Sequence, residues 1–142
     1  VHASDVVLDA LEALLQGIPG LEDHIVKDQG KLPSEIDLPW CWLNLGDEEI
    51  STQGLSGKKT RSLFINIDLL ASDRYQAMQK ANEIAGAIED RVDANPTLGG
   101  IAGNTVLANV IRGRNDELNL ARVRIVYNVT YWTRAGASST PV

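Results

Sequence analysis

The chain has 142 residues, 44% of them apolar, and a net charge of −6, which fits one domain able to bury a core. The acidic balance argues against non-specific nucleic-acid binding, which depends on neutralising phosphates. The apolar runs, such as Val6–Leu8, fall far short of the ~20 residues of a membrane helix, and the single cysteine, Cys41, excludes an internal disulfide framework.

The charge is unevenly placed. Residues 1–50 carry eleven acids against Lys27 and Lys31, a net −9, whereas residues 51–142 carry eight acids and eleven bases, a net +3. The plain reading is two solvated faces of opposite tendency. The sharper one is self-association, the acidic surface of one copy against the basic surface of the next. Cys41 as the only cysteine is consistent with a reducing compartment. No signal peptide is expected in Val1–Gly20, which carries acids where a basic start would stand.

In chain order, Ser4 is a candidate cap for a helix whose first turn holds Asp5. Val7, Leu11, Leu14 and Ile18 recur at helical spacing with Asp9, Glu12 and Gln16 opposite. Gly17, Pro19 and Gly20 end that helix. Leu21–Asp37 has no clean period and reads as a loop with at most a short strand near His24–Lys27. His24 beside Asp23 has no second histidine at ligand spacing, and His2 stands at the terminus, so a solvated histidine is expected.

Leu38–Leu45 reads as a strand, restricted by Pro39 to a strand start or a sheet edge. Trp40 and Trp42 share one face, with Cys41, Leu43 and Leu45 on the other. Cys41 has no nearby His or Lys to activate it, so a packed, inert thiol is expected. Gly46–Thr60 reads as a long projecting loop, with a possible second strand around Glu49–Gln53. Its GLSGKKT segment lacks the first glycine and the preceding apolar strand of a phosphate-binding loop.

Arg61–Leu70 alternates, with Leu63, Ile65, Ile67 and Leu69 on one face and Ser62, Asn66 and Asp68 on the other. A second helix, capped by Ser72 or Asp73, runs to about Val92 with a stripe of Met78, Ala81, Ile84 or Ala85, Ile88 and Val92. Asn104–Arg112 alternates again, placing Val106, Ala108 and Val110 opposite Thr105, Asn109 and Ile111. Gly113–Glu117 reads as a hairpin connection. Asn119–Thr133 is the longest strand: Ala121, Val123, Ile125, Tyr127, Val129 and Tyr131 face one way, Arg122, Arg124, Asn128 and Thr130 the other.

These elements predict an α+β fold: an antiparallel sheet of four to five strands with two helices on one face, plus a projecting loop or hairpin. Residues 1–134 form one domain, and 135–142 a flexible C-terminal tail of Gly, Ser, Thr and Pro. No catalytic, metal-binding or cofactor-binding motif is present.

The pattern resembles the tail terminator proteins of long-tailed bacteriophages, of the minor tail protein U type. Three features carry it: an opening helix of the form VVLDALEALL; a strand introduced by LPW and closed by DEE, before a glycine-rich loop and RSLFINIDLL; and a last strand, ARVRIVYNVTYW, after a Gly-Arg-Asn-Asp-Glu hairpin. The resemblance spans about residues 4–134. The Trp40/Trp42 pair and the tail after Arg134 have no counterpart in it.

The resemblance implies a subunit of a hexameric ring in the virion, assembled in the host cytoplasm. The ring caps the tail tube, stops its elongation and offers a surface to the head or neck, without bond chemistry, cofactor or membrane. Its partners would be further copies of itself, the tail tube protein and a head/neck connector protein, with DNA passing through the lumen without specific binding. Asp47, Glu48, Glu49, Lys58, Lys59 and Arg61 lie in the region resembling the family's projecting segment and are expected at ring or tube contacts. Arg122 and Arg124 are expected to face neighbouring subunits, since inward arginines would retain phosphate. A phage neck or head–tail joining protein and a monomeric α+β binding module are the alternative readings.

Overall fold

The computed structural model describes residues 2–21, 24–27, 39–53, 57–73, 76–115, 117–134, 136–138 and 141–142. Helices α1 (Ala3–Leu15) and α2 (Ala77–Asp93) accompany strands β1 (Ile25–Val26), β2 (Trp40–Gln53), β3 (Lys58–Ser72), β4 (Asn104–Asn115) and β5 (Leu120–Arg134). The strands form one sheet in the order β1-β2-β3-β5-β4. All neighbours are antiparallel except the short β1, which runs parallel to β2 at Cys41 and Trp42. This is the expected α+β fold.

The alternation of β3 and β5 explains the centre of the sheet. Their register pairs Leu63 with Val129, Ile65 with Tyr127, Ile67 with Ile125 and Leu69 with Val123, and all eight side chains are buried. Each such burial contributes about 1.5–3 kcal/mol. Both helices pack on this face: Val7, Leu11 and Leu15 of α1 and Ala81, Ala85, Ile88 and Val92 of α2 join the same core. Two of the buried α2 residues, Ala81 and Ala85, are small.

Several local readings are corrected by long-range structure. The cap of α1 is His2, whose Nδ1 accepts from the Ser4 amide at 3.0 Å, so Ser4 lies inside the first turn. Helix α2 begins at Ala77, with Asp73 accepting the Gln76 amide at 3.1 Å just ahead of it. Gly46–Gln53 is a continuation of β2, interrupted by a bulge between Leu45 and Glu48. Gly46 fits there because an added Cβ would come within 3.0 Å of the Phe64 carbonyl oxygen. Beyond the bulge, β2 and β3 form a hairpin that β5 accompanies as far as Lys58↔Arg134, so the segment is paired along the sheet.

Strand β4 departs most from its sequence pattern. A bulge between Leu107 and Asn109 resets the pleat, so Val106 and Val110 do not share a face. Only Thr105 is buried, Val110 is half-buried, and Val106 and Ile111 are 52% and 51% exposed. An alternating strand at a sheet edge need not be covered on either face.

After β5 the chain turns back at three points. Ala137 bridges to Arg134, the Ser138 carbonyl accepts the Ala3 amide at 2.7 Å, and the Val142 amide donates to the Trp132 carbonyl at 2.7 Å.

Candidate functional site

With both helices on one face, the opposite face of the sheet is left uncovered among the described residues. Its centre is polar. Asp68 on β3 is 3% exposed and accepts from Arg124 Nε at 2.8 Å and Nη2 at 3.2 Å, from Arg122 Nη2 at 3.3 Å and from Asn44 Nδ2 at 3.3 Å. The β3–β5 register makes this cluster, placing Asp68 directly opposite Arg124 with Arg122 two residues along the strand. The hydrogen bond to Asp68 raises the Arg124 pKa further above its ordinary value. Two guanidiniums thus share one carboxylate, so the patch keeps a positive charge. Nearby, Ser62 and Asn128 exchange hydrogen bonds across the same strands at 3.1 and 2.8 Å.

A second cluster lies on the helix-covered face, at the far end of the β2–β3 hairpin. Arg61 Nη1 donates to Glu48 Oε1 at 2.6 Å, and their side chains are 5% and 16% exposed. Arg61 Nε donates to Thr133 Oγ1 at 2.8 Å, and the Tyr131 hydroxyl donates to Glu48 Oε2 at 2.6 Å. Burial, then the neighbouring Glu48, push the Tyr131 phenol up. The bulge re-aims Glu48 inward, where it closes the polar end of the core under the start of α1.

The residues expected at contacts therefore separate. Asp47 and Glu49 are exposed on the β2 edge. Lys58 is half-buried with its ammonium 4.9 Å from the centre of a Trp132 ring, and Lys59 is half-buried opposite Thr133. Arg122 and Arg124 are 57% and 37% exposed on the uncovered face. Glu48 and Arg61 are engaged with each other inside the chain. The structure does not bring the acids of residues 47–49 near Arg122 and Arg124, which lie two strands away from β2.

Cys41 is fully buried, and desolvation pushes its thiol well above the ordinary range. His24 stacks on Trp40 with ring centres 5.2 Å apart and hydrogen-bonds the Pro39 carbonyl at 2.8 Å. Among the described residues no three His, Cys, Asp or Glu side chains converge as metal ligands. None of the helices described is long and apolar enough to cross a membrane.

Sequence reasoning missed Asp68 as the hub of the arginine patch and the exposed apolar edge of β4. Asp68 was legible as an acid on the same polar face as Arg122 and Arg124, but which strands are neighbours is a matter of topology.

No protein-family model matches the sequence, and no curated protein matches it significantly. The fold is shared with a chain in the solved structure of the virion of a native gene transfer agent particle. The TM-score is 0.56 and the identity 13%, over 87% of this chain and 92% of that one. At that identity the likeness is one of fold, and it runs almost from end to end of both chains.

Proposed function

We propose that the chain is a structural subunit of a virion, a tail terminator whose copies form a hexameric ring on the end of the tail tube. The observation that carries this reading is the likeness of fold, over 87% of this chain, to a chain of a virion particle. The bacteriophage resemblance of the sequence points the same way. In this reading the ring stops tube elongation, presents its other side to a head or neck connector, and lets DNA pass without gripping it. Arg122 and Arg124 then meet protein, with Asp68 holding them in place.

The test is sedimentation of the purified chain with and without tail tube subunits, with tube lengths measured by electron microscopy. Expected is a six-membered ring bound at tube ends, with elongation arrested. A chain that stays monomeric and leaves tube growth unchanged overturns the reading.

A further inference from the structure

We infer that the notch beside Arg122 and Arg124 receives one carboxylate, an Asp or Glu side chain offered by a different protein at the uncovered face. This rests on the virion reading, in which these arginines meet protein, and names the group they meet.

Donors and acceptors do not balance within the cluster. An ionised carboxylate offers about four acceptor sites, and those of Asp68 are filled. Its Oδ1 takes Arg124 Nε and Arg122 Nη2, and its Oδ2 takes Arg124 Nη2 and Asn44 Nδ2. Each guanidinium carries five N–H groups. Arg124 commits Nε and Nη2 to Asp68 and Arg122 commits Nη2 alone, so most of their donors have no partner among the described residues. The two cations against one anion leave one net positive charge, and what the cluster lacks is an acceptor. Asp68 already holds Arg124 at two points, which fixes a planar fork of the kind that suits a second carboxylate.

The backbone leaves room for it. On β4, Gly113 stands opposite Arg122 and Ile111 opposite Arg124, so both belong to the uncovered face. A Cβ at Gly113 would meet nothing within 4 Å, and that space opens into a notch of about 270 Å³ lined by Ile111, Arg112, Gly113, Arg122 and Arg124. Small-molecule sites usually start near ~300 Å³, so the notch suits a side-chain tip better than a whole ligand. Arg112 turns away from it, donating from Nε to Asn82 of α2 on the other face at 2.9 Å.

The surroundings select a protein acid over a nucleic-acid phosphate. Ile111 is exposed, and Leu70 and Val126 beside the arginines are half-buried, so the charge sits within an apolar rim. Along this face of β5, Arg124 is followed by Val126, Asn128, Thr130 and Trp132 before Arg134, about 33 Å further on at ~3.3 Å per residue. A phosphate backbone is held by several cations along its path, whereas one net charge suits one acid. The exposed acid Glu49 of this same face stands level with Asn104, at the opposite end of the strands. A copy that continued the sheet would not bring it to the notch.

The test is nitrogen-15 NMR of the arginine side chains in the full chain, titrated with the end-blocked peptide Ile-Glu-Ile, its Gln counterpart and dimethyl phosphate. The Nε–H signals of Arg122 and Arg124 are expected to shift with the Glu peptide and saturate with a Kd of about 1–10 mM, roughly tenfold tighter than with either other probe. Gly113→Leu fills the notch without removing charge, and it and Arg122→Gln are each expected to weaken binding roughly tenfold. Arg112→Gln is expected to leave binding unchanged. Shifts that never saturate, an equal response to dimethyl phosphate, or a Gly113→Leu protein that binds as wild type overturns the carboxylate site. Peptide binding lost as the chain self-associates gives the notch to a second copy and overturns the different partner. Tube capping, measured separately, decides the ring reading whatever the titration shows.

Discussion

Replacing Arg61 with methionine isolates what the buried pair contributes. The substitution keeps most of the aliphatic stem, and removes the guanidinium that donates to Glu48 at 2.6 Å and to Thr133 at 2.8 Å. The Glu48 carboxylate, 16% exposed, then keeps the Tyr131 hydroxyl as its described donor. Breaking one side of a buried pair costs about 3–5 kcal/mol, because the remaining charge stays desolvated. The partial exposure of Glu48 places this case at the lower end, about 3 kcal/mol. Removing both charges together, Arg61→Met with Glu48→Leu, leaves no orphaned ion and is expected to cost under about 2 kcal/mol. The cycle therefore predicts that the double change costs at least about 1 kcal/mol less than the sum of the single changes. Urea unfolding followed by tryptophan fluorescence measures all four proteins. With a slope of about 1–3 kcal/mol per molar urea, Arg61→Met should lower the midpoint by at least ~1 M. A loss below about 1 kcal/mol, the range of exposed pairs, would refute the inward-facing cluster.

Other outcomes follow from the two buried tyrosines and one glycine. The Tyr127 hydroxyl is buried with no hydrogen-bond partner among the described residues, so Tyr127→Phe should be neutral or mildly stabilising. Tyr131→Phe forfeits the bond to Glu48 and should cost about 1.5–3 kcal/mol, as bonds to charged groups do; equal effects from the two changes would contradict the assignment. Burial raises both phenols above the ordinary tyrosine value. Their stabilisation is therefore complete below about pH 10 and declines above it, because the unfolded chain releases protons that the native state retains. Between pH 9 and 12, as a working range of roughly three units, urea midpoints should fall with a slope that Tyr127→Phe reduces; an unchanged slope would contradict this. At Gly103 an added Cβ would lie 2.2 Å from the Trp132 ring, so Gly103→Ala should cost about 1–3 kcal/mol and alter tryptophan emission, and a silent substitution would show that the ring moves aside.

A face of acids and a face of bases can belong to any soluble domain, and composition alone leaves the split as two solvated surfaces. Strand order places the acids of Asp47 and Glu49 on β2, towards one rim of the sheet, and Arg122 and Arg124 on β5, two strands away. The registers also set them at opposite ends of the strands, Glu49 level with Asn104 and Arg122 level with Trp40, so the two groups stay apart within the chain.

Periodicity is local, and what depends on it was legible without coordinates. The apolar stripes of α1 and α2 and the alternation of β3 and β5 name their own buried faces, since a helix or strand puts side chains outward at fixed intervals whatever surrounds it. The α+β class and the polar face holding Arg122 and Arg124 follow from that. Pairing is not local. The bulge that joins Gly46–Gln53 to β2 arises against Phe64, and the bulge in β4 arises against β5; each changes which way later side chains point. The same holds for Arg61, which reads as a surface cation in sequence and becomes an internal one because Glu48, Tyr131 and Thr133 converge on it from two other strands. Sequence determined which residues want to be inside; only the tertiary structure decided which strands are neighbours, which edge is left open, and which charges are spent within the chain.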